Sequence, residues 1–454
     1  MKVLWICNIM LPVIAEHLGL EASNKEGWLS GLADVLLERQ AENEIELGIA
    51  FPASEGLDGY QECISVGNGT LQCFGFYEDI AHADSSDPRT EKRLKEIVEV
   101  FAPNVVHCFG TEYGHTLAAT RVCIGSDRIL VGIQGLCSVY AHTYMASLPA
   151  QVRSLVTFRD WLKKDSLTQQ QQKYALRGKR EEEAIAQAAN ITGRTDWDQY
   201  YTKQWNPDAV YYNMNETLRP QFYTGQWKPE TCEPGRIFLS QGDYPIKGLH
   251  YMLLALAELL REFPEVKVCV AGNSLVADRT LKDKLKRSAY GQYLYRIIKE
   301  YHLDGHVEFL GRLTAEQMKE QYLKANLFVC CSTIENSPNS LGEAMLLGVP
   351  CVSADVGGIP TLFRDGVDGI LYPGYRTPEN VFHHGKEDPV YAESTLEEVA
   401  GQLRDAVGRM LRDRAFAAQC GVNARVHAQE THSREKNYRR MLEIYTEIAQ
   451  RGLV

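Results

Sequence analysis

Leu327-Phe328-Val329-Cys330-Cys331-Ser332-Thr333-Ile334-Glu335-Asn336-Ser337-Pro338-Asn339-Ser340-Leu341-Gly342-Glu343-Ala344-Met345 decides how this chain is read. The apolar run at its start predicts a buried strand ending near Cys331, and a polar loop with small hydroxyls, two Asn and a Pro follows. Asn339 or Ser340 then caps a helix that starts Leu341-Gly342-Glu343-Ala344. Such a helix start offers free amides and a partial positive charge, which suits a diphosphate. Gly342 permits close approach of a ligand. Glu343 can accept from a ribose diol, and Glu335, on the loop rim, from sugar hydroxyls. The plainer reading makes Glu343 a first-turn acid and Glu335 a solvated loop residue, since a lone helix N-terminus is a weak motif.

On either side of this stretch, short β-rich runs alternate with helical patterns. One set is Val3–Cys7, Glu46–Phe51, Val105–Phe109, Ile129–Ile133 and Ile191–Thr192; a second is Ile237–Ser240, Val266–Ala271, Val307–Leu310, Leu327–Cys331 and Pro350–Ser353. This alternation predicts an α/β chain of two doubly wound parallel sheets, with a ligand cleft between domains at strand C-terminal ends. Pro-containing Asn215–Gly235 reads as a linker. The expected domains are 1–215 and 236–430, joined by 216–235, with 431–454 a helix that crosses back to the first domain. Within that last piece Ser433–Gln450 carries apolar residues at helical spacing. Arg153–Glu183 is polar and reads as exposed helices between strands.

The length of 454 residues fits two domains, and 44% apolar with 24% charged residues is ordinary globular composition. A net charge of −11 argues against nucleic acid as a partner. No apolar run reaches the ~18 residues of a membrane span. Met1–Cys7 reads as a buried strand, not a signal peptide. The 12 cysteines are scattered without a CxxC pair, which disfavours zinc and fits a reducing cytoplasm. Asp196-Trp197-Asp198 has the form of a D-x-D metal motif, but such pairs arise by chance in a chain with 59 acids, and no metal is expected. Phe158-Arg159-Asp160-Trp161-Leu162-Lys163-Lys164 mixes aromatics with bases. It is read as a solvated helix with a half-buried aromatic face; the alternative is peripheral contact with the inner face of a membrane.

Glu335 and Glu343 stand eight positions apart, the E-x7-E spacing of retaining glycosyltransferases of the GT-B fold. The string Glu335 to Met345 resembles glycosyltransferase family 4 (group 1). So do Gly348-Val349-Pro350-Cys351-Val352, Gly357-Gly358-Ile359-Pro360 and Asp365-Gly366-Val367-Asp368-Gly369. Val307-Glu308-Phe309-Leu310-Gly311-Arg312-Leu313 resembles the strand and turn that line the family's base pocket, and Lys247-Gly248 its phosphate-contacting pair. The likeness covers most of residues 236–450 and is looser before them.

The resemblance implies GT-B architecture, with the acceptor on 1–215 and a nucleotide-sugar donor on 236–430. It puts Glu343 on the ribose hydroxyls, Glu335 on the transferred sugar, and backbone amides around Asn339, Ser340 and Leu341 on the diphosphate or the sugar. Lys247 neutralises the leaving group, and Gly311 and Arg312 border the base. Gly27, within Lys25-Glu26-Gly27-Trp28, resembles a glycine loop that closes over the donor. Two positions depart from the family pattern. Gly242 stands where an Arg is usual, five residues before Lys247, with Arg194 or Arg312 as possible substitutes. Gln134 stands where many members have His; it can orient the sugar but cannot act as a base. Glu112, His115 and Arg194 are acceptor-side candidates.

The implied activity is retaining, metal-independent hexosyl transfer to a carbohydrate or lipid-linked hydroxyl in polysaccharide or glycoconjugate synthesis. It needs no cofactor, and a UDP-sugar is the favoured donor. The alternatives are a non-catalytic nucleotide-sugar-binding subunit and a nucleotide-sugar epimerase.

Overall fold

The computed structural model describes residues 1–21, 27–43, 45–67, 69–85, 87–278, 280–377, 382–383, 386–387 and 392–451. By contact the chain forms two units: Met1–Ser138 with Lys173–Arg219 and His432–Val454, and Val139–Gln172 with Pro220–Thr431.

The first unit is built on β1 (Lys2–Ile6), β2 (Glu46–Ala53), β3 (Gln61–Val66), β4 (Gly69–Tyr77), β5 (Val105–Phe109), β6 (Ile129–Gly132), β7 (Asn190–Gly193) and β8 (Val210–Asn213). Their order in the sheet is β3-β4-β2-β1-β5-β6-β7-β8, parallel except for the β3–β4 pair. β1, β5, β6 and β7 are buried nearly throughout, as the apolar runs require of a sheet covered on both faces. The second unit has β9 (Arg236–Leu239), β10 (Lys267–Val270), β11 (Val307–Phe309), β12 (Leu327–Cys330), β13 (Cys351–Ala354) and β14 (Gly369–Tyr372), ordered β11-β10-β9-β12-β13-β14 and all parallel. The expected strands recur with ends shifted by a residue or two. Four strands of these two sheets went unread. β3 is mostly exposed and polar, β4 follows it as a hairpin partner, and β8 and β14 are too short to show a period.

The strand order reverses between β1 and β5 in one sheet and between β9 and β12 in the other. Neighbouring crossovers leave in opposite directions there, so a crevice opens outside the strands' carboxyl ends. Lys247 follows β9 and Glu335 follows β12; Glu112 follows β5.

Residues 139–172 go with the second unit, although strand–helix alternation assigns them to 1–215. Asp160 Oδ2 accepts from the Ala289 amide at 2.9 Å, and the Ala146 carbonyl lies 2.9 Å from His250 Nε2. Nor is Arg153–Glu183 uniformly exposed: Asp160 and Glu181 are buried.

The helix Arg434–Arg451 belongs to the first unit and packs Tyr438, Met441, Ile444, Tyr445 and Ile448 into its core. Trp5 Nε1 donates to the Tyr445 hydroxyl at 2.9 Å, and that hydroxyl lies 2.6 Å from His107 Nδ1. All three rings are fully buried. Burial holds His107 down to about 3, so the ring is neutral. Tyr445→Phe would strand a buried indole N–H and a buried imidazole nitrogen. We expect a loss of about 2 kcal/mol in urea unfolding, with no change in the denaturant slope.

Candidate functional site

β12 ends at Cys330, and the helix after the polar loop runs Asn339–Leu347. It starts earlier than the sequence suggests, and neither Asn339 nor Ser340 caps it. Pro338 is the N-cap, with φ −68° and no side-chain cap bond. Its carbonyl accepts from the Leu341 amide at 2.9 Å and the Gly342 amide at 3.3 Å. The ring fixes φ, so proline pre-sets the chain direction at a helix start without a capping oxygen. The Asn339 and Ser340 amides donate to no carbonyl among the described residues. Residues 337–340 are half-buried, so this end is not sealed under the unit's own core. Asn339 Oδ1 is a buried oxygen without a hydrogen-bond partner among the described residues.

Lys247 sits on the single turn Pro245–Lys247 between β9 and the helix Leu249–Leu259. Gly248 after it has φ +69°, and a Cβ there would lie 1.8 Å from the Cys331 carbonyl oxygen. Only glycine satisfies both conditions, which explains why glycine follows the lysine. The Thr333 amide donates to the Ile246 carbonyl at 2.7 Å and pins the turn to the loop after β12. So held, Lys247 Nζ meets Glu335 Oε1 at 2.6 Å, and Ser332 Oγ donates to the same oxygen at 2.7 Å. The Glu335 carbonyl in turn accepts from the Gly358 amide at 2.9 Å, with Gly357 at φ +57° and its Cβ position 2.0 Å from that oxygen. The Gly357-Gly358 loop thus clamps the Glu335 backbone. Burial pulls the Lys247 ammonium down, but the Glu335 carboxylate outweighs this and holds it above its ordinary value. The side chain stays cationic at neutral pH.

Glu343 is buried in the first turns of the helix. Tyr322, from the helix Ala315–Lys324, donates to the Ser340 carbonyl at 3.0 Å and lies 3.4 Å from Glu343 Oε2. Sequence reasoning missed Tyr322; its only signal was an aromatic on the apolar side of an amphipathic helix. Gly311 closes β11, with φ +76° and its carbonyl accepting from the Gly272 amide at 2.8 Å. Arg312 beside it is exposed. Gly242 is buried, and a Cβ there would come 2.7 Å from Leu249 Cδ2 and 3.1 Å from Val270 Cγ1. A larger residue at 242 would therefore press on the Leu249 and Val270 side chains, which favours glycine there.

In the first unit, Gln134 lies just past β6. Its Oε1 accepts from Arg194 Nη2 at 3.0 Å, and Arg194 also pairs with Glu216 at 2.8 Å. Arg194 is therefore a committed, buried cation, and Arg312 is the one that shares a unit with Lys247. Asp198 is fully buried and accepts from the Arg194 amide at 3.1 Å and the Thr195 amide at 3.3 Å, so this acid of the D-x-D pair serves a helix cap. Among the described residues no cluster of acids, His and Cys is arranged to hold a metal. Glu112 is half-buried, and its carbonyl accepts from Arg177 Nε at 2.7 Å. Gly27 opens the helix Gly27–Glu38 against the Arg219 side chain; Lys25 and Glu26 lie outside the described residues.

His115 needs correction as an acceptor-side group. It is fully buried, with Nδ1 2.5 Å from Glu78 Oε2 and its amide 2.9 Å from Glu78 Oε1. Burial lowers its affinity for a proton, but Glu78 more than offsets that and raises it to about 10. It is one half of an internal ion pair.

Residues 227–383 match the sequence profile of the family described as "Glycosyl transferases group 1". The chain is 27% identical over 186 residues to a D-inositol 3-phosphate glycosyltransferase of Nocardia farcinica. That match takes in 40% of this chain and 34% of the relative, so it spans about a third of the relative's length. Among solved structures, sucrose-phosphate synthase from Thermosynechococcus elongatus superposes with a TM-score of 0.66 at 15% identity, covering 99% of each chain. Anabaena HepE in complex with UDP-glucose superposes at 0.58 and 15% identity, covering 98% of this chain and 100% of that one. These likenesses show the fold, which is GT-B. The matched segment, 227–383, is the one that carries Lys247, Glu335 and Glu343.

Proposed function

We propose that the chain is a retaining, metal-independent hexosyltransferase that moves a sugar from a nucleotide diphosphate to a hydroxyl acceptor. The observation that carries this is the Lys247–Glu335 pair at the β9/β12 switch point, in the same loop system as a helix whose first amides are unused. Backbone amides of Asn339 and Ser340 suit phosphate oxygens, and an ammonium with one of its three protons on Glu335 keeps two for the diphosphate. Glu343 takes the ribose hydroxyls, and Gly311 with Arg312 borders the base. A UDP-sugar is the favoured donor because HepE was solved with UDP-glucose. The second unit then holds the donor, and the first, through Glu112, serves a carbohydrate or lipid-linked acceptor.

The chemistry follows from what this site supplies. The anomeric C–O bond to the diphosphate breaks as the acceptor hydroxyl bonds to the same carbon on the same face. The hydroxyl proton passes to a departing phosphate oxygen, so no protein base is required. Lys247 and the helix amides stabilise the negative charge that builds on the leaving group, and Glu335 holds the sugar.

The test is a thermal-shift series with UDP, UDP-glucose and other nucleotide sugars, followed by turnover. A donor at 100 times its Kd adds about 2.7 kcal/mol of stability. Glu343→Gln is expected to weaken UDP binding about thirtyfold, since it removes a charged acceptor from a buried site, with little change in kcat at saturation. Unaltered UDP affinity in that variant would remove Glu343 from the donor site and take the nucleotide-sugar reading with it.

A further inference from the structure

Two short helices of the second unit present apolar side chains to solvent. Phe158–Lys163 exposes Phe158 by 57%, Trp161 by 68% and Leu162 by 65%. Positions i, i+3 and i+4 share one helix face, so these three form a single surface. Leu281–Lys286 lies against that helix and exposes Leu281 by 79% and Leu285 by 56%, again on one face, and it buries no residue.

The exposure is fixed by anchoring on the opposite side. Thr157 and Asp160 form a capping box. The buried Asp160 also accepts from the Ala289 amide at 2.9 Å and pairs with Arg159 at 2.9 Å. A second capping box, Thr280 with Asp283, starts the other helix. The first helix thus turns its polar anchor toward its own unit and its apolar side chains outward, the reverse of an ordinary surface helix, and the second shows its leucines to solvent beside it.

Around the apolar residues stand Lys163, Lys164, Lys282, Lys284 and Lys286, all exposed. None of these five makes an ion pair among the described residues, whereas Asp160 and Asp165 are both taken by Arg159. The chain as a whole carries −11, so an unneutralised basic cluster is a local departure from its charge. No described helix is long and apolar enough to cross a membrane.

We propose that this face docks on an anionic lipid surface. Aromatic and leucine side chains would sit at the boundary between headgroups and acyl chains, with the lysines on the headgroup phosphates. A protein partner is the less fitting occupant, because five exposed lysines beside a small apolar patch match a diffuse anionic plane better than a shaped epitope.

The test is co-sedimentation of the full chain with vesicles of phosphatidylcholine alone and of equimolar phosphatidylcholine and phosphatidylglycerol. We expect binding to the anionic vesicles only, weakened by added salt. A lysine near such a surface is worth about fivefold in partition, so Lys282→Gln/Lys284→Gln/Lys286→Gln should lose on the order of 100-fold. Phe158→Ser/Trp161→Ser should lose at least about tenfold. The substituted side chains are exposed, so melting temperatures should hold, and a folded variant that fails to bind is informative. The proposal is overturned by absence of binding, by equal binding to both vesicle types, or by variants that bind like the parent. It is equally overturned if sedimentation shows a dimer that Phe158→Ser/Trp161→Ser dissociates, since the face would then join two copies of this chain.

Discussion

Lys247→Ala is expected to lower turnover of a nucleotide-diphosphate sugar about 10³-fold, with a smaller effect on donor affinity. The leaving diphosphate gains charge as the anomeric bond breaks, and a fixed cation helps the transition state more than the ground state. Here the cation is fixed: the Gly248 turn, the Thr333–Ile246 bond and the 2.6 Å pair with Glu335 leave the ammonium little freedom. The substitution also leaves Glu335 with Ser332 as its side-chain partner among the described residues, a cost to stability that could imitate a catalytic loss. The double variant Lys247→Ala/Glu335→Gln separates the two. It removes the stranded charge, so its melting temperature should recover toward the parent's, while turnover stays low. Recovery of turnover along with stability would show that the lysine only supports the fold. A single variant that retains turnover within about threefold of the parent would sink the leaving-group role outright.

The loop that holds Glu335 was legible because its local signals agree: an apolar strand, then a polar turn, then a mostly apolar, buried helix. What misled at its end was Pro338. Asn339 and Ser340 are good capping residues, but the proline's fixed φ starts the helix without them. The lysine and glycine at 247 and 248 were also visible, yet the reason for the glycine was not. The Cys331 carbonyl that excludes a Cβ comes from another strand. The same holds for residues 139–172. Their place in the second unit rests on Asp160 with Ala289 and Ala146 with His250, pairs 129 and 104 positions apart. His115 looked available because Glu78, 37 residues upstream, carries no mark in the sequence of being its partner. Periodicity reports which way a side chain faces within its own element. It does not report what arrives from elsewhere, and, Pro338 apart, the features missed around the site are of that kind.

Glu181 is another such case, and it makes stability depend on pH in a direction opposite to the usual one. It is buried on the helix Leu167–Gln187, accepting from the Thr111 hydroxyl at 2.5 Å and the Ser138 amide at 3.1 Å. Burial pushes its carboxyl up to about 8, and these hydrogen bonds reclaim only part of the shift. Between its ordinary value of 4.5 and about 8 the folded chain keeps a proton that the unfolded chain has lost. Stability therefore falls as pH rises through that window. The size is about 3 kcal/mol between pH 5 and pH 8. His115, raised to about 10 by Glu78, contributes in the same direction above pH 6.5. Glu181→Gln mimics the protonated acid: its carbonyl can accept from Ser138 and its amide can donate to Thr111. We expect urea unfolding of the parent to weaken from pH 5 to pH 8. The variant should lose most of that slope and exceed the parent's stability at pH 8, keeping only the His115 component. A variant whose pH profile parallels the parent's would mean that Glu181 is ionised in the folded chain. Its burial would then have to be offset by a cation that the described residues do not place beside it.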